Sequence, residues 1–211
     1  MLGTHDLLLF VFAGWLLNIT PGPDMLYIIG RTSAQGLRAG VVAALAVGAG
    51  IMVHIAAAAV GLSAILAASA GAFTLIKLLG AAYLVYVGIS LLVSSGAPPA
   101  NGSATLPAAS LRTVFMQGFL TNVLNPKVAL FFLAFLPQFV EPGATSKPLA
   151  FLFLGLVFNV NGTLWNLFVA WSAARMTAGL KQRAAIVKWF NRCVGGIFIG
   201  LGIRLALAHE D

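Results

Sequence analysis

The sequence predicts an all-α, polytopic membrane protein with six transmembrane helices, arranged as two inverted-topology repeats of three helices with the first and fourth helices broken. Composition, apolar segments and a proline-centred repeat lead to this prediction. Of the 211 residues, 60% are hydrophobic and 8% are charged, whereas a soluble domain typically carries about 25% charged residues. Because so few charged residues cannot solvate the surface of a chain of this length, lipid must cover most of that surface. The composition disfavours a soluble enzyme and a nucleic-acid binder, despite the formal net charge of +7.

A transmembrane helix needs about 20 mostly apolar residues, and six segments of the chain meet this requirement. They are residues 7–30, 39–67, 73–93, 114–139, 149–171 and 189–208. The segments are too long for barrel strands and lack the alternation of such strands. The leader MLGTHD contains no Lys or Arg, so we expect the first segment to be retained as a span rather than cleaved as a signal peptide.

The basic residues predict how the spans are oriented. Most lie in the first-to-second, third-to-fourth and fifth-to-sixth connections, at Arg31, Arg38, Arg112, Arg175, Lys181, Arg183, Lys188 and Arg192. The opposite side has Lys77, Lys147 and Arg204. Connections rich in Lys and Arg usually stay in the cytoplasm. We therefore expect these three connections to be cytoplasmic and both termini to lie outside.

A linker divides the single transmembrane domain, residues 1–211, into two halves. Residues 94–111 are rich in Pro, Gly, Ser and Ala, a composition typical of a flexible connection. The first repeat therefore covers residues 1–93, the linker is cytoplasmic, and the second repeat covers residues 112–211.

The two halves resemble each other in sequence. GWLLNI at residues 14–19 matches GFLTNV at residues 118–123, and KLLGAAYL at residues 77–84 matches RCVGGIFI at residues 192–199. Three spans per half is an odd number, so the second copy must cross the membrane in the opposite direction, as in many secondary transporters. Chance similarity between apolar helices is the alternative interpretation.

Prolines interrupt the first and fourth spans at related places. Pro21, Gly22 and Pro23 break the first, and Asn125 with Pro126 breaks the fourth, because proline lacks the backbone donor that a helix needs. Freed backbone groups in a bilayer are tolerated only where they face protein or a water-filled cavity. Ordinary proline kinks are one interpretation. A pair of discontinuous helices framing a substrate site is the other, and the matched positions favour it.

A charge follows each break, Asp24 in the first span and Lys127 in the fourth. A charge at that depth costs at least about 2.5–3.5 kcal/mol, so it should be paired or functional. The two could form a structural ion pair. Alternatively, Asp24 receives an ammonium group or a proton and Lys127 a carboxylate, which would suit a zwitterion. His54, inside the second span, is either a packing residue or a proton carrier, since histidine titrates near neutral pH.

Two motifs resemble hallmarks of the LysE/RhtB family of bacterial amino-acid exporters, which includes the homoserine and threonine resistance type. NITPGPD at residues 18–24 resembles N-x-T-P-G-P followed by Asp or Asn, and NVLNPK at residues 122–127 resembles the second signature. The resemblance covers nearly the whole chain. It implies a secondary transporter that exports amino acids or close derivatives from the cytoplasm by proton antiport, as a multi-pass protein of the bacterial inner (plasma) membrane.

The candidate substrate-binding or coupling residues lie on these two motifs, with His54 added from the second span. They are Asn18, Thr20, Pro21, Gly22, Pro23, Asp24, His54, Asn122, Asn125, Pro126 and Lys127. Members of the family export different amino acids. Asp24 is the only acid within the predicted spans, which disfavours a dicationic substrate.

We expect no enzymatic activity, no cofactor and no metal site. Residues 1–211 contain no Walker A phosphate-binding motif, and the one cysteine, Cys193, excludes a CxxC pair. A metal-ion exporter of a related branch would need clustered ligands; a polytopic membrane enzyme, a weaker alternative, would need a nucleophile and its base. The expected partners are an amino-acid substrate, protons and membrane lipids. Small-xxx-small spacing predicts close helix packing within the chain, with a homodimer as the alternative; it occurs at Gly40, Ala44 and Gly48 and again at Gly196 and Gly200.

Overall fold

The computed structural model describes residues 3–62, 70–93, 108–141, 143–175 and 184–207, and the regular elements in these ranges are helical. An isolated β-bridge joins Thr4 to Val140. In chain order the helices are α1 (Leu7–Ile19), α2 (Pro23–Gln35), α3 (Leu37–Ala57), α4 (Ala70–Val93), α5 (Leu111–Val123), α6 (Pro126–Leu130), α7 (Lys147–Arg175) and α8 (Ala184–Leu207). The predicted all-α class is confirmed for the described part of the chain.

Both predicted helix breaks are observed. The axes of α1 and α2 differ by 51°, and α5 differs by 44° from the helical segment Pro126–Phe139. That segment begins as α6 and continues as a π-helix over Phe131–Phe135 and a 3-10 helix over Leu136–Phe139. In each pair a proline takes the first position of the helix that resumes, where its missing backbone donor costs nothing.

The predicted spans fall on these elements. A π-helix over Ala58–Leu62 continues α3. Within the described ranges, two helices are long and apolar enough to cross a membrane, Leu37–Gly61 and Lys147–Arg175, or up to four if each bent pair counts as one span. The predicted third and sixth spans fall on α4 and α8, which pack against each other. Their assignment as membrane spans stays a prediction. The linker from residue 94 to 107 and the basic connection from 176 to 183 lie outside the described residues.

Helix α3 forms the centre of the packing. It contacts α2, α5 and α7, and small residues permit this close approach. A β-carbon added at Gly118 of α5 would come within 3.0 Å of Ala46 on α3, and one added at Gly155 of α7 would come within 2.7 Å of Ile55. The described elements on either side of the linker are therefore packed into one body.

An aromatic cluster fills the space between the start of α1, the segment after α6, and α7. The rings of Phe131 and Phe158 stack with their centroids 4.6 Å apart, and those of Phe10 and Phe139 meet edge to face at 5.2 Å. All four side chains are buried. The cluster holds α7 against the second broken helix, which positions the residues that follow that break.

We expect Gly50→Ala to destabilise the protein by about 1–3 kcal/mol, the usual cost of overpacking. A β-carbon at Gly50 would lie 2.7 Å from Cβ of Asn122 and 2.9 Å from the backbone oxygen of Phe119. Neither atom can move without shifting α5. Gly61→Ala is the control, since no described atom lies within 4 Å of the added carbon. Thermal unfolding in detergent should separate the two variants, and equal midpoints would contradict the close packing of α3 on α5.

Candidate functional site

The two helix breaks lie against each other, and each places one charged side chain on the opposite break. Asp24 and Lys127 both occupy the second position of the helix that resumes, directly after Pro23 and Pro126. The contacts they make run between the two broken pairs, so residues about a hundred positions apart in sequence share one site.

Asp24 joins α2 to the second break. Its Oδ2 accepts hydrogen bonds from Nδ2 of Asn122 and Nδ2 of Asn125, both at 2.9 Å. The carboxylate lies in the first turn of α2, where the helix dipole favours negative charge. Its Oδ1 is buried and has no hydrogen-bond partner among the described residues. One carboxylate oxygen is thus held by the protein, and the other is available to a ligand.

Lys127 joins the second broken helix to the first break. Its Nζ donates hydrogen bonds to the backbone oxygens of Leu17 and Thr20, both at 2.7 Å. The last carbonyls of a helix lack partners within it, and its C-terminus favours positive charge. The ammonium therefore caps the C-terminal end of α1. Asn125 begins α6 by accepting a hydrogen bond from the backbone nitrogen of Lys127 at 3.0 Å.

A small cavity lies between the two breaks. Its lining is contributed by α1, the first break, α2, α3, the second break, α6 and α7, and consists of Leu17, Asn18, Thr20, Gly22, Asp24, Met25, Val47, Ile51, Asn125, Lys127, Val128, Phe158 and Asn166. Its volume of about 30 Å³ accommodates one or two water molecules, so this closed arrangement has no room for an amino acid.

The sequence-predicted residues divide into cavity-lining and supporting groups. Asn18, Thr20, Gly22, Asp24, Asn125 and Lys127 line the cavity. Pro21, Pro23 and Pro126 are absent from the lining and shape the breaks. A β-carbon at Gly22 would lie 3.6 Å from Nζ of Lys127, an ordinary contact distance, so Gly22 lies directly beside the ammonium group.

His54 does not line the cavity, and it is connected to Asp24 through one intervening residue, Asn122. Its Nε2 lies 3.1 Å from the backbone oxygen of Asn122, whose side chain donates to Asp24, and its ring stacks on Phe132. Both His54 and Asn122 are buried. The structure thus brings His54 to the site as a neighbour of Asn122 rather than as a lining residue.

Sequence reasoning missed the apolar wall of the cavity. Val47, Ile51 and Phe158 belong to long apolar helices in which no local pattern marks them. Asn166 differs from them, because a polar residue inside the fifth predicted span is expected to face the interior, and it lines the cavity. No group of three or more His, Cys, Asp or Glu side chains in the described part of the chain could hold a metal ion.

The sequence profile of the LysE type translocator family matches residues 15–209. The chain belongs to this family. The resemblance inferred from the two proline motifs is confirmed, and a LysE type translocator is a membrane transporter rather than an enzyme.

Several bacterial membrane and efflux proteins align along most of the chain. An uncharacterized membrane protein of Pseudomonas aeruginosa is 31% identical over 210 residues, which cover 98% of this chain and 97% of that protein. Membrane protein YrhP of Bacillus subtilis is 31% identical over 212 residues, which cover 97% of this chain and 100% of that protein. A leucine efflux protein of an Enterobacter species is 27% identical over 202 residues, which cover 95% of this chain and 94% of that protein. No solved structure matches the chain significantly.

Proposed function

We propose that this LysE type translocator exports amino acids with uncharged side chains, or close derivatives, from the cytoplasm across the bacterial inner membrane. The observation that carries the proposal is the pair of opposite charges lining one cavity between two helix breaks, with Oδ1 of Asp24 buried and available. Relatives described as leucine efflux proteins support the same substrate class.

A zwitterion fits the charges of this site. Its ammonium group would bind Asp24 and the carbonyls of Leu17 and Thr20, to which the ammonium of Lys127 now donates. Its carboxylate would bind Lys127 after that side chain has left the carbonyls. Because the closed cavity holds only one or two waters, binding requires the two breaks to separate. Because the substrate ammonium would replace the ammonium of Lys127, the backbone oxygens of Leu17 and Thr20 would keep a hydrogen-bond donor throughout.

Proton antiport is the form of coupling that the site supports best. Asp24 is the acid in the cavity, and His54 reaches it through Asn122. If a proton and the substrate ammonium compete for Asp24, protonation from outside would release the substrate, and loss of the proton inside would allow it to bind again. Each cycle would then exchange one substrate for a proton.

Six spans in two inverted repeats remain part of the proposal. Support comes from the reciprocal contacts, in which the charged residue after each break binds the opposite break.

The homodimer also stays a prediction. Gly40 and Gly48 pack within the chain, against Thr32 and Thr163, whereas a β-carbon added at Gly196 or Gly200 would meet no described atom within 4 Å.

We expect the connections rich in Lys and Arg to face the cytoplasm. In a Cys193→Ser background, Ser110→Cys and Lys181→Cys should react with a membrane-impermeant maleimide only in inside-out vesicles. His5→Cys, at the exposed N-terminal end, should react in intact spheroplasts. Labelling of Lys181→Cys in spheroplasts would contradict the orientation.

Efflux from preloaded cells tests the proposed function directly. Cells that overexpress the protein are loaded with labelled leucine, threonine, lysine or glutamate, and release is followed in wild type and in Asp24→Asn. We expect faster release of leucine or another uncharged amino acid in wild type alone. No stimulated release of any uncharged amino acid, with the protein present in the membrane, would overturn the proposal.

A further inference from the structure

The first broken helix carries a buried polar atom without a partner on each side of its break. Asn18 lies in the last turn of α1, and Asp24 lies in the first turn of α2. Nδ2 of Asn18 and Oδ1 of Asp24 have no hydrogen-bond partner among the described residues, and both residues line the cavity between the breaks. Buried polar groups in proteins are nearly always paired, so the two atoms indicate where polar groups of a ligand bind.

The chemistry of these two atoms restricts the ligand. An amide nitrogen can only donate a hydrogen bond, and a carboxylate oxygen can only accept one. A metal cation would therefore satisfy Asp24 alone, and an inorganic anion would satisfy Asn18 alone. An α-amino acid carries an ammonium group and a carboxylate on the same carbon atom, so it can pair with both residues at once.

Asn18 lies at the end of α1 that also holds the ammonium group of Lys127. Nζ of Lys127 donates to the backbone oxygens of Leu17 and Thr20, which come directly before Asn18 and two residues after it. A carboxylate that approaches Lys127 therefore also approaches Asn18. Its two oxygens can accept from both side chains, and hydrogen bonds to an ionised acceptor are the stronger ones.

Helix α7 holds the Asn18 amide in place. A β-carbon added at Gly162 would lie 3.0 Å from Oδ1 and 3.3 Å from Nδ2 of Asn18, so the amide lies directly against the backbone of α7. The rings of Trp15 and Trp165 meet edge to face with their centroids 6.1 Å apart, which keeps α1 close to α7. The amide is thus fixed before a ligand arrives, which lowers the entropic cost of binding.

We propose that Asn18 binds the substrate carboxylate together with Lys127 while Asp24 binds the ammonium group, so that the amino acid bridges the two halves of the first broken helix. The inference rests on the proposed function and names the residue that selects α-amino acids over simple amines. The substrate side chain would face the buried apolar part of the lining, formed by Leu17, Val47, Ile51, Val128 and Phe158.

Two ligands test the role of Asn18 in purified full-length protein held in phosphatidylcholine nanodiscs. Leucine carries both charged groups, whereas 3-methylbutylamine keeps the ammonium group and the side chain but lacks the carboxylate. We expect Asn18→Leu to weaken leucine binding about tenfold or more, the loss expected for a hydrogen bond to a charged group, and to leave binding of the amine unchanged. Asn18→Asp should weaken leucine binding further and strengthen binding of the amine, because the new carboxylate repels one ligand and attracts the other.

Two control variants separate this effect from a general loss of binding. Asn161→Ala removes an amide of α7 that is absent from the cavity lining, and it should bind both ligands like wild type. Asp24→Asn should weaken both ligands, because both carry the ammonium group. The readout is the ratio of the two dissociation constants within each variant, which a partial loss of folded protein does not alter.

The competing role of Asn18 is structural, in packing α1 against α7 or in holding a water molecule. In that case Asn18→Leu and Asn18→Asp would change the affinity for both ligands equally, and a ratio like that of wild type in both variants would overturn the inference. Efflux assays separate this failure from that of the proposed function. Leucine export by wild type, together with the unchanged ratios, would overturn the role of Asn18 alone, whereas no export of uncharged amino acids by wild type would overturn the proposed function.

Discussion

Asp24→Asn is expected to abolish uphill export and to weaken binding of the substrate ammonium about 10- to 100-fold, since a hydrogen bond to a charged group contributes about 1.5–3 kcal/mol. The substitution preserves the shape of the side chain, and its oxygen can still accept from Asn122 and Asn125, which hold Oδ2 in the native protein. Its amide nitrogen then replaces Oδ1 and presents a donor where the substrate needs an acceptor. The fold should therefore persist while binding and coupling are lost.

The measurement is leucine efflux from proteoliposomes with an imposed pH gradient, together with leucine binding at equilibrium. Asp6→Asn is the matched control, because Asp6 is an exposed acid at the start of α1, outside the site. His54→Ala should reduce efflux less than Asp24→Asn, since His54 contacts the site only through Asn122. Uphill export by folded Asp24→Asn, with an unchanged dependence on pH, would show that Asp24 is not the proton carrier.

Lys127→Met is expected to impair both stability and transport. The substitution leaves the backbone oxygens of Leu17 and Thr20 without the ammonium donor that now reaches them. A polar group left unsatisfied inside a protein costs about 1–3 kcal/mol. Loss of the cation also removes the proposed partner of the substrate carboxylate. We expect a clearly lower unfolding midpoint and at least a tenfold loss of leucine binding, because the carboxylate loses a charge-assisted contact.

The control for Lys127→Met is Lys147→Met, which removes a lysine at the start of α7, away from both breaks. It should unfold and transport like wild type. The combination of results also separates a structural role from a binding role. A lower midpoint with normal affinity for leucine would mean that Lys127 only caps α1, and the proposed carboxylate contact would be wrong.

The class of the protein and the places where its helices break follow from local chemistry, so they could be predicted from the sequence. A chain with 8% charged residues has to bury its surface in lipid, and a proline interrupts a helix whatever surrounds it. The same reasoning found Asp24 and Lys127. A charged side chain beside a helix break in an apolar segment is costly to place in the membrane, so it is predicted to be paired or functional. The span assignments of α4 and α8, and the inverted repeat, are still predictions.

The partners of those charges depended on tertiary packing. Asp24 is held by Asn122 and Asn125, and Lys127 by the carbonyls at the end of α1. Nothing local selects these contacts over a direct pair, because the 51° and 44° bends decide which atoms face each other. The packing of α2 on α5 likewise brings Arg31 against Gln117, although the sequence places Arg31 only in a connection that is rich in basic residues.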